Sequence, residues 1–252
     1  MFLEAGLIIS GILISAAAMT IGIGGGILWT PMLILAYNLS PQEAIATSLL
    51  IQVVGMGSGS IAYYRAGITN IKLSLIFIAV ALPGVIIGSF ITINLEQSTV
   101  QMALGIMSMM LAILFVNSHD DINQGHSFNF SKKVILKLLP IPAFFGFILG
   151  TLSLGIGEWL IPSLRSKLKI DMTTAVATVI PVMFVLVTIA SLIHWSFAED
   201  FHLQYFLWGA LGTFIGGQIG VHISKRVDER MLKQSFIYLM TLIGIHLIFQ
   251  AV

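Results

Sequence analysis

The sequence predicts an all-α polytopic membrane protein made of two inverted-topology repeats, each a Gly-broken re-entrant helical hairpin plus three transmembrane helices. Three observations lead there. The 252-residue chain is 57% hydrophobic and 9% charged, with mean hydropathy +1.00, and its apolar residues gather in blocks close to spanning length. The second half repeats the first at an offset of 131 to 133 residues. Each half also holds one apolar segment too short to cross a bilayer.

An apolar helix over 3–21 opens the chain, with neither a basic leader region nor a small-residue cleavage site, and reads as permanent. The break Gly22-Ile23-Gly24-Gly25-Gly26 follows, then a short helix from Ile27 to Tyr37. Three further apolar helices complete a first repeat over 1–117, and the polar run 118–133 reads as a cytoplasmic linker. The second repeat, 134–252, starts with an apolar helix over 134–154, breaks at Gly155-Ile156-Gly157, resumes as a short helix from Trp159 to Leu164 and ends in three more apolar helices.

The duplication sets Gly22-Ile23-Gly24 against Gly155-Ile156-Gly157, Pro31 and Leu33 against Pro162 and Leu164, and Ala44-Ile45-Ala46-Thr47 against Ala175-Val176-Ala177-Thr178. Gly84 and Gly88 fall opposite Gly216 and Gly220, a four-residue spacing that lets membrane helices approach closely. Pro31 and Pro162 limit continuation of the short helices.

Crossing a hydrocarbon core of about 30 Å takes about 20 helical residues, so the short helices suit re-entrant segments that return to the side they left. Each half then makes three net crossings. Under that topology all 12 basic residues, from Arg65 and Lys72 to Arg230 and Lys233, fall on one side. The positive-inside rule makes that side cytoplasmic, with both termini outside. An odd number of crossings inverts one repeat relative to the other, as in many secondary transporters.

A Gly-rich break inside the bilayer leaves backbone groups without intrahelical partners, which is tolerated only where protein or a water-filled cavity meets them. The helix starts after Gly24-Gly25-Gly26 and after Gly155-Ile156-Gly157 each aim free amides and a positive dipole end inward. Inverted repeats bring them together near the midplane as an anion site, and glycine keeps side chains from shielding the amides. Thr47, Ser48 and Gln52 in the first half and Thr178 in the second add hydroxyl and amide groups able to bind an oxyanion, or to bond their own helix. Trp29 and Trp159 either wall the cavity or pack and anchor the helices.

Glu158 breaks the symmetry, because the second break reads Gly-Ile-Gly-Glu-Trp where the first reads Gly-Ile-Gly-Gly-Gly. A carboxyl group at membrane depth is a candidate proton carrier. A structural cap and an exposed position near a helix end stay open as alternatives. His194 and His222 read as interfacial, and His246 and Gln218 as intramembrane without an assigned role.

Several classes are excluded. A formal net charge of +1 provides no field for nucleic acid, and the absence of cysteine removes disulfides, thiolate catalysis and cysteine metal sites. Walker, dinucleotide, serine-elbow and His-Glu-x-x-His motifs are missing, so neither a cofactor, a metal nor an enzymatic role is expected. The expected partners are the lipid bilayer and a small anionic substrate, and self-association into a homo-oligomer stays open.

The run Gly22-Ile23-Gly24-Gly25-Gly26 with Pro31-Met32-Leu33, then Pro41-x-x-Ala44-x-Ala46-Thr47-Ser48, with weaker counterparts in the second half, resembles the TauE/SafE family of sulfite and sulfonate exporters. The resemblance covers nearly the whole chain. Members of that family typically carry the triple glycine in both halves, whereas here the second copy is shortened and holds Glu158-Trp159. The resemblance implies export of sulfite, sulfonates or other small organic anions across a bacterial or archaeal inner membrane. The residues themselves give an anion-friendly inverted repeat; the first hypothesis built on it is alternating access around a midplane site, with Glu158 as the candidate for proton coupling. The alternative is an anion channel that uses the same helix starts as its selectivity filter.

Overall fold

The computed structural model describes residues 2–117, 132–197, 202–223 and 229–251, all organised around α-helices. The first half contains α1 (Phe2–Ile21), α2 (Gly26–Tyr37), α3 (Pro41–Arg65), α4 (Ile71–Ile93) and α5 (Gln97–Asn117). The second contains α6 (Lys132–Leu138) and α7 (Pro140–Leu152), then α8 (Ile156–Leu168), α9 (Met172–Phe197), α10 (Leu203–Ile223) and α11 (Glu229–Ala251). Among the described residues seven segments are long and apolar enough to cross a membrane, with Lys132–Leu152 counted as one. Most of the expected linker lies outside the described residues; its last two residues, Lys132 and Lys133, open α6.

Local chemistry sets the helix ends. Ser40 Oγ accepts from the Glu43 amide, the Glu43 carboxylate accepts from the Ser40 amide at 2.8 Å, and Pro41 fills the first position of α3. Asn70 caps α4 by accepting from the Leu73 amide at 3.1 Å. Asn38, Ser153 and Lys169 end α2, α7 and α8 in the left-handed conformation. Pro31 and Pro162 do not end their helices. Each stands well inside, and α2 and α8 run on to Tyr37 and Leu168 because neighbouring helices support the turn that loses a hydrogen bond.

Each short helix returns beside the start of the helix before it. A Cβ on Gly6, near the start of α1, would lie 3.5 Å from the Tyr37 hydroxyl at the end of α2. Lys167, near the end of α8, donates to the Lys137 carbonyl in α6 at 3.4 Å. Between halves, α1 lies on α10 while α7 lies on α4; α3 meets α10 while α9 meets α4; α3 packs on α9 and α5 on α11. The same contacts recur when each helix is exchanged for its counterpart.

The glycine ladders line two of these crossings. A Cβ on Gly84 would come within 2.8 Å of the Ala143 carbonyl, and one on Gly88 would overlap the Phe147 carbonyl; Gly146 and Gly150 face Ala81 and Val85 in return. Gly212, Gly216 and Gly220 meet Ile8, Ile12 and Ala16 of α1 in the same way. Hydrogen bonds also cross between halves. Thr92 donates to the Thr151 carbonyl at 2.8 Å, Ser74 to the Thr178 carbonyl at 2.7 Å, and Gln218 to Ser58 Oγ at 2.8 Å.

Candidate functional site

The two breaks touch. Gly22, at φ +70°, ends α1 in a conformation that suits glycine, and Gly155, at φ +115°, does the same before α8. The Gly24 amide donates to Glu158 Oε1 at 2.7 Å, and the Gly155 amide donates to Oε2 of the same carboxylate at 3.2 Å. A Cβ on Gly26 would overlap the Ser153 carbonyl, and one on Gly157 would stand 2.8 Å from the Gly22 carbonyl. Glycine is therefore needed here for the contact between breaks as well as for access to amides.

The contact lies half-way along the two longest helices. Gln52, beside Gly25 and Gly26, is the twelfth of the 25 residues of α3. Met183, beside Gly24 and Gly157, is the twelfth of the 26 residues of α9. Both helices exceed the length needed to span a bilayer.

Glu158 is 1% exposed, so the reading that left it exposed near a helix end is excluded. Its hydrogen-bond partners among the described residues are backbone amides of both breaks. Sitting at the third position of α8, it caps its own helix and also fills the Gly24 amide ahead of α2. This explains why α8 starts at Ile156, three residues earlier than the expected Trp159. The amides of Gly25 and Gly26, by contrast, have no protein acceptor among the described residues.

A second cluster joins the hairpins beside these free amides. Ser48 Oγ lies 2.7 Å from Thr30 Oγ1 and 3.0 Å from Ser153 Oγ. Gln52 Nε2 donates to Ser153 Oγ at 2.7 Å and to the Ser48 carbonyl at 3.2 Å. The Ser48 carbonyl can only accept, so the amide orientation of Gln52 is fixed and its Oε1 faces away. That oxygen is buried without a partner, as are Ser15 Oγ and Trp29 Nε1. All three residues line one cavity of about 10 Å³ between α1, α2, α3 and α10, with Gly25 and Thr213 also in its wall. The volume suits one water molecule. A buried polar atom left unpaired costs about 1–3 kcal/mol, so three around one cavity mark a place where the fold forgoes stability.

The other expected site residues are placed differently. Thr47 is buried in α3 without a hydrogen bond to either break. Thr178 donates to the Thr174 carbonyl at 2.8 Å and accepts from the Asn70 amide at 3.4 Å, which puts it at the start of α4. Trp159 stacks on Phe145 with centroids 4.7 Å apart. His194, near the end of α9, is buried and donates from Nε2 to the Gly150 carbonyl at 2.8 Å. Gln218 bonds Ser58 across helices. Sequence reasoning missed Ser15, Thr30, Ser153 and Thr213. Ser153 had a signal, since it stands next to the second break; the others become visible only once α1, α2, α3 and α10 are packed.

The profile of the sulfite exporter TauE/SafE family matches residues 7–247. The chain is similar to two proteins of Bacillus subtilis (strain 168). One is named "Probable membrane transporter protein YunE", 23% identical over 270 residues that cover 98% of this chain and 97% of the relative. The other is "Probable membrane transporter protein YjnA", 28% identical over 254 residues that cover 96% and 98%. A "Probable membrane transporter protein" of Xylella fastidiosa (strain Temecula1 / ATCC 700964) is 23% identical over 228 residues, with 86% and 87% covered. No solved structure matches the chain. A family profile over nearly its full length, relatives covered almost end to end and seven spanning segments show that this chain belongs to the TauE/SafE sulfite exporter family and is a multi-pass membrane transporter.

Proposed function

We propose that the chain is a secondary transporter that exports small sulfur-containing or other organic anions, alternately opening a midplane site to each side. One observation carries this reading: two helix starts from opposite halves meet half-way along the longest helices, with free amides at Gly25 and Gly26 beside orphaned polar side chains. The exchangeable contacts between halves, and the return of each short helix to where its hairpin began, support inverted repeats with re-entrant hairpins. The basic residues then face the cytoplasm and the start of α1 faces outside. The close contact between the breaks favours a carrier over an open channel, since a filter needs a continuous path.

Glu158 couples transport to protons in this scheme. Its carboxylate holds the Gly24 amide at 2.7 Å as a substrate anion would. Two anions cannot share that amide, so arrival of substrate and neutralisation of Glu158 by a proton favour each other.

Purified protein in liposomes tests the proposal with sulfite, sulfoacetate, taurine-derived sulfonates and simple carboxylates, with and without a pH gradient. Saturable flux with counterflow is expected for at least one anion, stimulated by the gradient. Glu158→Gln should lose that stimulation. Flux that neither saturates nor shows counterflow would establish a channel instead, and proton coupling that persists in Glu158→Gln would remove the residue from the mechanism.

A further inference from the structure

We propose that the cavity walled by Ser15, Trp29 and Gln52 is the selectivity pocket of the transport site, and that it selects small monoanions carrying their own O–H or N–H donor. This rests on the reading above that the chain moves small anions. The pocket wall is mostly apolar, and the polar groups carried by its lining residues are of mixed kind. Trp29 Nε1 can only donate, and Gly25 at the start of α2 adds an amide without a protein acceptor. Gln52 offers only Oε1, because its amide nitrogen is held by Ser153 and Ser48. Ser15 Oγ can serve either way. The three side chains are 4%, 1% and 2% exposed, so none has bulk water as an alternative partner.

An anion that is an acceptor on every side satisfies Trp29 and the helix start but meets Gln52 Oε1 lone pair to lone pair. A hydroxylated, protonated or amino-bearing anion turns its donor to Gln52 and its charged oxygens to Trp29 and the α2 start. No Lys or Arg lines the cavity, so the helix start alone faces the charge, which favours one negative charge over two.

The duplicated half shows that the fold does not require a polar side chain at the position of Gln52. At an offset of 131 residues Gln52, Gly55 and Met56 correspond to Met183, Leu186 and Val187, all apolar and buried. The same architecture therefore packs an apolar Met183 where the first half keeps the orphaned amide oxygen of Gln52. In the present conformation the pocket has room for one water, and an anion enters when α10 and α2 part.

The test compares anion pairs that share charge and differ in a donor: 2-hydroxyethanesulfonate against ethanesulfonate, and glycolate against acetate, in proteoliposome counterflow. The donor-bearing member of each pair should show at least about tenfold higher kcat/KM, the scale of one buried acceptor left unpaired. Trp29→Phe and Ser15→Ala remove groups that bond nothing among the described residues and should leave folding intact. Trp29→Phe should raise KM for both members of a pair about tenfold, whereas Gln52→Met should collapse the discrimination between them. Equal transport of both members, with no effect of Trp29→Phe, would show that the cavity holds only a water molecule and overturn the proposal. Absence of flux for every anion would overturn the transport reading and this one with it.

Discussion

Glu158 spans the gap between the hairpins with one carboxylate, taking one amide from each break. The glycines around it divide by what a side chain there would meet. A Cβ on Gly25 finds ordinary contacts, the nearest atom being Gln52 Cγ at 3.4 Å, while one on Gly26 would overlap the Ser153 carbonyl. Gly25→Ala should therefore fold normally yet raise KM for the anion by shielding the helix start. Gly26→Ala should destabilise the protein by about 1–3 kcal/mol, the usual scale for overpacking, seen as a lower melting temperature in detergent. Equal melting temperatures for the two variants would mean that the breaks are not in contact. Sequence alone marked the breaks, because glycine runs inside apolar segments have few other uses. It also singled out Glu158 as an asymmetry. It did not reveal that the partner of this carboxylate is Gly24, 134 residues away, since nothing local to either residue encodes a contact made by packing two repeats.

At the scale of helices, glycine ladders and short returning helices carry the architecture. Gly88→Leu in α4 forces a side chain into the backbone of α7, and Gly216→Leu in α10 forces one into the backbone of α1. Both should lower the detergent melting temperature to a similar degree, because they disrupt counterpart crossings; a loss in only one would mean that the crossings are not equivalent. The chain has no native cysteine, so single cysteines report topology without background. A cysteine at Asn38 should react with an impermeant thiol reagent from outside the cell, and one at Ser166 only after the membrane is opened. Reaction of both from the same side would rule out oppositely directed hairpins. Spanning helices were legible because length and hydropathy suffice to define them. The extent of α8 was not: its start depends on Glu158 acting as a cap, and it continues past Pro162 to Leu168 because packed neighbours tolerate the missing hydrogen bond.

For the whole molecule, α3 and α9 form a central pair around which each half leans on the other through α1 on α10 and α7 on α4. A relative rocking of the halves has to slide these crossings and separate the breaks, so the Glu158 bond to Gly24 is the contact most directly strained by opening. Duplication at a nearly constant offset made contact between the halves foreseeable in outline, because two copies of one helical unit have few ways to bring their breaks together. The cavity beside Gln52 was not foreseeable, since it depends on four helices and on which copy kept Gln52 while the other kept Met183. The most direct measurement is a cryo-EM map of the protein in lipid nanodiscs, with a transported anion at saturating concentration. Added density against the Gly25 and Gly26 amides, with the Glu158 side chain withdrawn from Gly24, is the expected result. Anion density elsewhere, with Glu158 still bonded to Gly24 and the cavity unchanged, would refute a midplane site built from the two breaks.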